Sequence, residues 1–148
     1  MSVSVRPVAA GDEPAWRALW AGYNEFYAVK LTGAVTDATW ARLLDSASAV
    51  HGFVAEGAPG AVIGFCNYVL HPKTWSDRPV CYLEDLFVAP SARGTGAGRA
   101  MMDHLIAAAK AEGWCQVYWV TRRDNDVARK LYDSYIAADD FVRYVVRL

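Results

Sequence analysis

Between residues 80 and 112 the chain passes from an apolar strand pattern, through a glycine-punctuated turn, straight into an amphipathic helix pattern. The turn reads Val88-Ala89-Pro90-Ser91-Ala92-Arg93-Gly94-Thr95-Gly96-Ala97-Gly98-Arg99, with three glycines at alternate positions. A strand that feeds a helix this directly must turn tightly, and residues without a Cβ adopt the positive φ that tight turns use. The same order aligns backbone N–H groups at a helix N-terminus, where the helix dipole favours an anion such as a phosphate or pyrophosphate. Taken alone, the segment serves equally as a phosphate cradle or as a structural βα turn. It is not a P-loop, because no Gly-Lys-Ser/Thr follows. Nor is it a dinucleotide fingerprint: it lies after several strands, and no acidic strand end comes about 20 residues later.

The flanking pattern supplies the fold. Val3 to Val8 alternates as a strand, and Asp12 with Pro14 opens a helix through Trp16, Leu19, Trp20, Tyr23 and Phe26. After a loop from Lys30 to Val35, Thr36 or Asp37 caps a second helix carrying Trp40, Leu43 and Leu44. His51 to Glu56 and Ala61 to Leu70 read as strands joined by the Gly57-Ala58-Pro59-Gly60 turn. Residues 71–79, with Trp75, read as a polar connection before the strand from Val80 to Val88. A helix from Gly96 to Glu112 carries Met101, Met102, Leu105, Ile106 and Ala109 at helical spacing, and Gly113 ends it. Cys115 to Thr121 is a short strand. A helix capped by Asp124 or Asn125 runs through Ala128, Leu131, Tyr132 and Tyr135, and Phe141 to Val146 is the last strand. The order β-α-α-β-β-β-α-β-α-β predicts one α/β domain over residues 1–148, a mixed six- to seven-stranded sheet with helices on both faces.

Composition narrows the partners. Fifteen basic and sixteen acidic side chains leave a formal charge of −1, which gives no electrostatic footprint for nucleic acid. No apolar run is long enough to span a bilayer, and the first residues read directly as a strand rather than a signal segment. Cys66, Cys81 and Cys115 have neither an even count nor CxxC spacing, so reduced thiols in a cytoplasmic protein are expected. Nothing pairs Cys81 with a base. His51, His71 and His104 have no ligand spacing, so no metal is expected.

Three segments together resemble the GNAT superfamily of N-acetyltransferases. Arg93, Gly96 and Gly98 fill the family's Arg/Gln-x-x-Gly-x-Gly/Ala signature. Tyr82-Leu83-Glu84-Asp85-Leu86-Phe87-Val88 is similar to the strand entering the acetyl-coenzyme A loop of polyamine and histone-polyamine acetyltransferases. Asn125-Asp126-Val127-Ala128-Arg129-Lys130-Leu131-Tyr132 resembles the family's Asn-x-x-Ala-x-x-Leu/Phe-Tyr helix. One departure stands out: Asp140 occupies the position before Phe141 where the family usually has glycine.

The resemblance implies acetyl-CoA as cosubstrate and no metal. The backbone of Gly94, Thr95, Gly96, Ala97, Gly98 and Arg99 would take the pyrophosphate, with Arg93 and Arg99 either adding charge or facing solvent. The main chain of Leu86, Phe87 and Val88 would hold the pantetheine arm, and Asn125 would contact it or cap its helix. By likeness to polyamine acetyltransferases, Glu84 is the general base, acting through water, and Tyr132 the general acid toward sulfur. Read without the resemblance, Glu84 is as well a paired structural carboxylate and Tyr132 a core residue at helical spacing. Strand alternation sends Glu84 and Asp85 to opposite faces.

Tyr23, Glu25, Tyr27 and Asp85, with Asp37, suit a cationic amine; equally, the aromatics form a helix's apolar stripe and the acids its solvated face. The acceptor implied is a primary amine of the polyamine, aminoalkyl or lysine-like kind, or a lysine-bearing peptide. The alternative from another class is a noncatalytic acyl-CoA-binding module. The terminal strand and the aromatics offer pairing surfaces for a homodimer.

Overall fold

The long strand β4 (Ser76–Val88) is the axis of the sheet, antiparallel to β3 (Val62–Lys73) on one side and parallel to β5 (Gln116–Trp119) on the other. The computed structural model describes residues 2–148. β2 (Val50–Glu56) pairs with β3 and β1 (Ser4–Pro7) with β2, which completes a mixed sheet in the order β1-β2-β3-β4-β5. Helices α1 (Glu13–Phe26), α2 (Gly33–Leu44), α3 (Ala97–Glu112) and α4 (Asp126–Asp133) lie between and after the strands.

The two faces of the sheet are packed differently. On α1, Trp16, Leu19, Trp20 and Tyr23 follow the three-four spacing of one helical face. They meet Trp40 and Leu43 of α2 over Phe65 and Phe87, with Trp16 stacked on Trp20 at 5.2 Å between ring centroids. On the opposite face, Met101, Met102 and Leu105 of α3 cover Phe53, Cys66, Tyr68, Cys81 and Leu83. Met101 and Leu105 are wholly buried; each such side chain stabilises the fold by roughly 1.5–3 kcal/mol relative to exposure. α3 ends at Gly113, whose φ of 75° closes the helix in the left-handed region.

Local chemistry shifts some boundaries. Thr32, not Thr36 or Asp37, caps α2, its hydroxyl accepting from the Val35 N–H at 3.4 Å. Asp12 stands at the N-cap of α1, but its carboxylate makes no cap bond to that helix; it accepts from the Ala9 N–H at the start of the preceding 3-10 turn, and from Arg6, each at 2.8 Å. Arg6 also reaches Glu56, so one guanidinium ties β1 to β2 and to the start of α1. Residues 71–79 are a hairpin, with Lys73 paired to Ser76 and an irregularity between His71 and Lys73 that absorbs Pro72, which has no N–H to give the ladder. Trp75 stands at its tip, 89% exposed.

The sheet has five strands, not six to seven. Phe141 to Val146 keeps its strand-like alternation of apolar residues but finds no neighbouring strand, and residues beyond Asp133 form no regular element. A β-strand exists through its ladder, so an unpaired segment is not one. Cys66 and Cys81 are buried and all three cysteines are free thiols. Among the described residues no helix is long and apolar enough to cross a membrane, and no group of His, Cys, Asp and Glu is arranged to hold a metal ion.

Candidate active site

Asn67 of β3 faces Asp85 and Tyr68 faces Leu83, which leaves Glu84 as an extra residue on β4. This bulge breaks the alternation of the strand. Leu83 and Leu86, three residues apart, both pack on the α3 side, whereas Phe87 joins the tryptophan cluster on the α1 side. An unbroken pleat would send Leu83 and Leu86 to opposite faces. The two carboxylates between them therefore both turn to the α1 side, and the separation of Glu84 from Asp85 expected from strict alternation does not occur. Bulges re-aim side chains in this way beside many active sites.

The paired carboxylates have distinct surroundings. Glu84 opens to solvent; desolvation and then Asp85 push its pKa above the ordinary glutamate value, while Arg143 opposes the shift. Asp85 is half-buried and accepts a hydrogen bond from the Asn67 side-chain amide at 3.1 Å. Burial raises its pKa, and the Asn67 amide and the Tyr23 hydroxyl pull it back. Tyr23 in turn is held protonated, first by burial and then by the Asp85 charge. Its ring lies edge-on to Phe65 and Phe87, so packing fixes where the hydroxyl points.

β5 pairs with β4 only from Val80 to Leu83. Beyond Leu83 the edge of β4 that β5 would cover is open, so residues 85–88 pair with β3 alone. Tyr132 of α4 sits at the start of that split, its ring 5.5 Å from the ring of Trp119, the last residue of β5. Burial, followed by Tyr27 and Cys66, pushes the Tyr132 phenol up to about 12. It keeps its proton at neutral pH, as a proton donor must. Tyr27 also lines a cleft of about 460 Å³ between the end of α1 and the start of α4, bounded by Phe26, Ala28, Asn125, Asp126 and Val127. Asn125 does two jobs there: its carbonyl caps α4 through the Ala128 N–H, and its amide donates to Thr121.

At the far end of the split, Gly94 and Gly96 have φ of 81° and 84°. Among the described residues, no backbone hydrogen bond is donated within the chain by the N–H groups of Gly94 to Arg99. They form a row of free donors at the start of a sixteen-residue helix. The Thr95 hydroxyl donates to the Ala92 carbonyl at 2.6 Å, which fixes the loop from within. Gly98 has a different cause: a Cβ there would meet Leu131 at 3.4 Å, so its small size lets α3 approach α4.

Not every candidate converges here. Glu25 is exposed, two residues along α1 from both Tyr23 and Tyr27, and so points away from them. Asp37 is paired with Arg17 at 2.8 Å. Arg93 lies over the Phe87 ring, 5.8 Å from its centroid. Arg99 bonds to Ser134 at 3.0 Å and covers Tyr135. Two residues enter that the sequence reading passed over. Asn67 is 2% exposed and anchors Asp85; an asparagine amid Gly64-Phe65-Cys66 and Tyr68-Val69 was its signal. Arg143 acts on Glu84 from a segment read only as a strand.

The profile of the Acetyltransferase (GNAT) family matches residues 14–135. The chain belongs to this family. It is 33% identical to a D-amino-acid N-acetyltransferase of Saccharomyces cerevisiae, over 96% of this chain and 89% of that one. A thialysine N-epsilon-acetyltransferase of Bos taurus is 33% identical over 60% of this chain and 56% of its own. In fold, the chain matches the crystal structure of a ribosomal-protein-alanine N-acetyltransferase from Brucella melitensis with a TM-score of 0.82, at 24% identity, covering 99% of this chain and 100% of that one. The protein is thus a GNAT-type N-acetyltransferase, an α/β enzyme whose family uses acetyl-CoA as cosubstrate. The chain fits that molecule on two observations. Nothing lies within 4 Å of where a Cβ would stand on Gly94 or Gly96, which leaves the donor row open to a pyrophosphate. The free edge of residues 84–88 offers main-chain partners to an extended pantetheine arm.

Proposed function

We propose that the protein acetylates the primary amine of a small cationic acceptor, a polyamine, aminoalkyl or lysine-like compound, with donor and acceptor bound together. Acetyl-CoA supplies the activated acetyl thioester. The chain supplies position and protons. Gly94 to Arg99 hold the pyrophosphate, and the main chain of Leu86 to Val88 aligns the pantetheine arm. Glu84 and Asp85 draw the ammonium form of the acceptor to the α1 side of the sheet, between Tyr23 and Tyr27.

Glu84 then takes, through water, the proton that the amine must lose before its lone pair can attack. A carboxylate with a raised pKa is a stronger base than a free one, which suits it to that step. As the C–N bond forms and the C–S bond breaks, Tyr132 gives the sulfur its proton and is reprotonated by the second proton that the nitrogen sheds on becoming an amide. A backbone N–H on the open edge of residues 84–88 steadies charge on the carbonyl oxygen. The observation that carries this reading is the bulge, which turns both carboxylates to one side at the level where β4 and β5 part.

A second reading, in which the acceptor is an amino acid, is favoured by the likeness to a D-amino-acid N-acetyltransferase over 96% of this chain. Thiol release from acetyl-CoA, measured over polyamines, D- and L-amino acids, lysine, thialysine, aminoglycosides and lysine peptides, separates the two. Selective turnover of di- and polyamines supports the first, and selective turnover of amino acids the second. No release with any of these primary amines contradicts both.

A further inference from the structure

On the hairpin side of Glu84 the sheet carries a group of aromatic side chains that the reaction has not used. Leu70 of β3, Cys81 and Leu83 of β4, and Val117 and Trp119 of β5 all pack on the α3 side. Alternation therefore sends His71, Tyr82 and Tyr118 to the α1 side, the side to which the bulge turns Glu84 and Asp85. None of the three joins the tryptophan cluster beneath α1 and α2. Tyr118 is 36% exposed, so this stretch of the sheet opens to solvent.

These side chains fix one another. Tyr82 and Tyr118 are register partners on β4 and β5, and their rings stack at 4.7 Å between centroids. His71 lies edge-on to Tyr118, with Nε2 2.9 Å from the tyrosine hydroxyl and Nδ1 2.8 Å from the Pro72 carbonyl. A carbonyl oxygen can only accept, so Nδ1 carries the proton and Nε2 of the neutral ring has only a lone pair. The Tyr118 hydroxyl must then donate to Nε2. With its one proton committed, the Tyr118 oxygen offers lone pairs alone to whatever lies above the sheet.

An oxygen held this way selects for a donor. Glu84 lies two residues beyond Tyr82, about 7 Å along β4, and its charge reaches both Tyr82 and Tyr118. The Lys73 ammonium is bound to the Gln116 side-chain carbonyl at 2.6 Å. Arg143 also reaches Glu84 and Tyr82, but it is exposed and so screened, and it stands against two carboxylates. The face is acidic, rich in acceptors and lined with aromatic rings. That is the chemistry that holds an ammonium ion.

We propose that Tyr118, set by His71 and backed by Tyr82, is the seat of a second ammonium on the acceptor, so that a diamine is preferred to a monoamine. This seat rests on the cationic-acceptor reading above and narrows it to a dication. The amine to be acetylated lies at Glu84, and a short alkyl chain spans the pleat to the Tyr118 oxygen. Tyr118 touches the substrate. His71 acts through Tyr118 and is a positioning residue.

Thiol release from acetyl-CoA with putrescine and with n-butylamine tests the seat. Wild type is expected to give a kcat/KM about tenfold or more higher for putrescine, the worth of one hydrogen bond to a charged group. Tyr118→Phe keeps the ring stack and removes the oxygen. The putrescine KM is expected to rise about tenfold, with kcat and the n-butylamine KM unchanged. His71→Ala, which frees the hydroxyl to turn, is expected to raise the putrescine KM by less, about threefold. His71→Gln, whose side-chain carbonyl accepts the same hydrogen bond, is expected to restore it. A merely structural role would lower the thermal midpoint and move both KM values together, which overturns the proposal. Equal kcat/KM for the two amines in wild type, or an unchanged putrescine KM in Tyr118→Phe, overturns the seat and leaves amine acetylation standing. No release with either amine overturns the seat and the cationic-acceptor reading together.

Discussion

The two halves of β4 share one backbone and have opposite fates. From Val80 to Leu83 the strand is paired on both sides, and Val80, Cys81 and Leu83 are almost wholly buried. Burial pushes the Cys81 thiol up to about 12 and leaves it inert. From Glu84 to Val88 the strand is bulged, carries two carboxylates and has one edge open before running into the glycine turn. Where the ladder is complete the strand is core. Where it opens, main-chain groups and charges become available for chemistry, and the closed half holds them in place.

That contrast is open to attack from both ends. In the open half, Glu84→Gln keeps the shape and removes the proposed base; turnover is expected to fall about 100- to 10,000-fold, with the thermal midpoint unchanged or raised. In the closed half, Leu83→Ala is expected to cost about 2–5 kcal/mol of stability, seen in a denaturant melt, with turnover per folded molecule close to wild type. A large loss of turnover from Leu83→Ala at full folding would erase the division.

Tyr132→Phe tests the boundary between the halves. A thiolate leaves more readily than most groups, so the proton donor contributes less than the base, and a loss of about 100-fold or less is expected. Acetyl-CoA affinity measured by calorimetry should stay constant, because its proposed seat is the main chain and the glycine turn. Weaker binding with unchanged turnover would make Tyr132 a packing residue.

Asp85→Asn addresses the cost of the open half. The folded pKa of Asp85 is raised above 3.8, so the folded state binds the extra proton, and stability is lost as pH rises from the ordinary value through the raised one. Removing the charge should raise the thermal midpoint at neutral pH, more than at pH values below that interval, while weakening cationic acceptors through KM. A lower midpoint at neutral pH would show that the Asn67 and Tyr23 contacts outweigh burial.

Most of the fold was legible because its elements are long and strongly patterned. The helix faces of Trp16, Leu19 and Trp20 and of Met101, Met102 and Leu105 follow from spacing alone. The bulge did not, because reading a strand by period two presumes an unbroken ladder; Leu83 and Leu86 as core residues three apart were its only trace. The phase of α1 places Glu25 opposite Tyr23 and Tyr27, on the solvated face that the sequence offered as one of two readings. Thr32 and Thr36 are equally good caps in isolation, and the choice between them depends on where packing starts the helix. The tail's alternation was plain, but alternation cannot say which edge a strand will find.

The claim at the centre is that the bulge makes Glu84 the base. The most direct test is the pH dependence of kcat/KM for wild type and Glu84→Gln, with the preferred acceptor. Wild type should lose activity on the acid side through an ionisation above the ordinary glutamate value of 4.5, since burial and Asp85 raise it. Arg143→Gln, which removes the opposing charge, should move that limb to higher pH. In Glu84→Gln the limb should vanish. An acid limb that stays in place in Glu84→Gln would contradict the account.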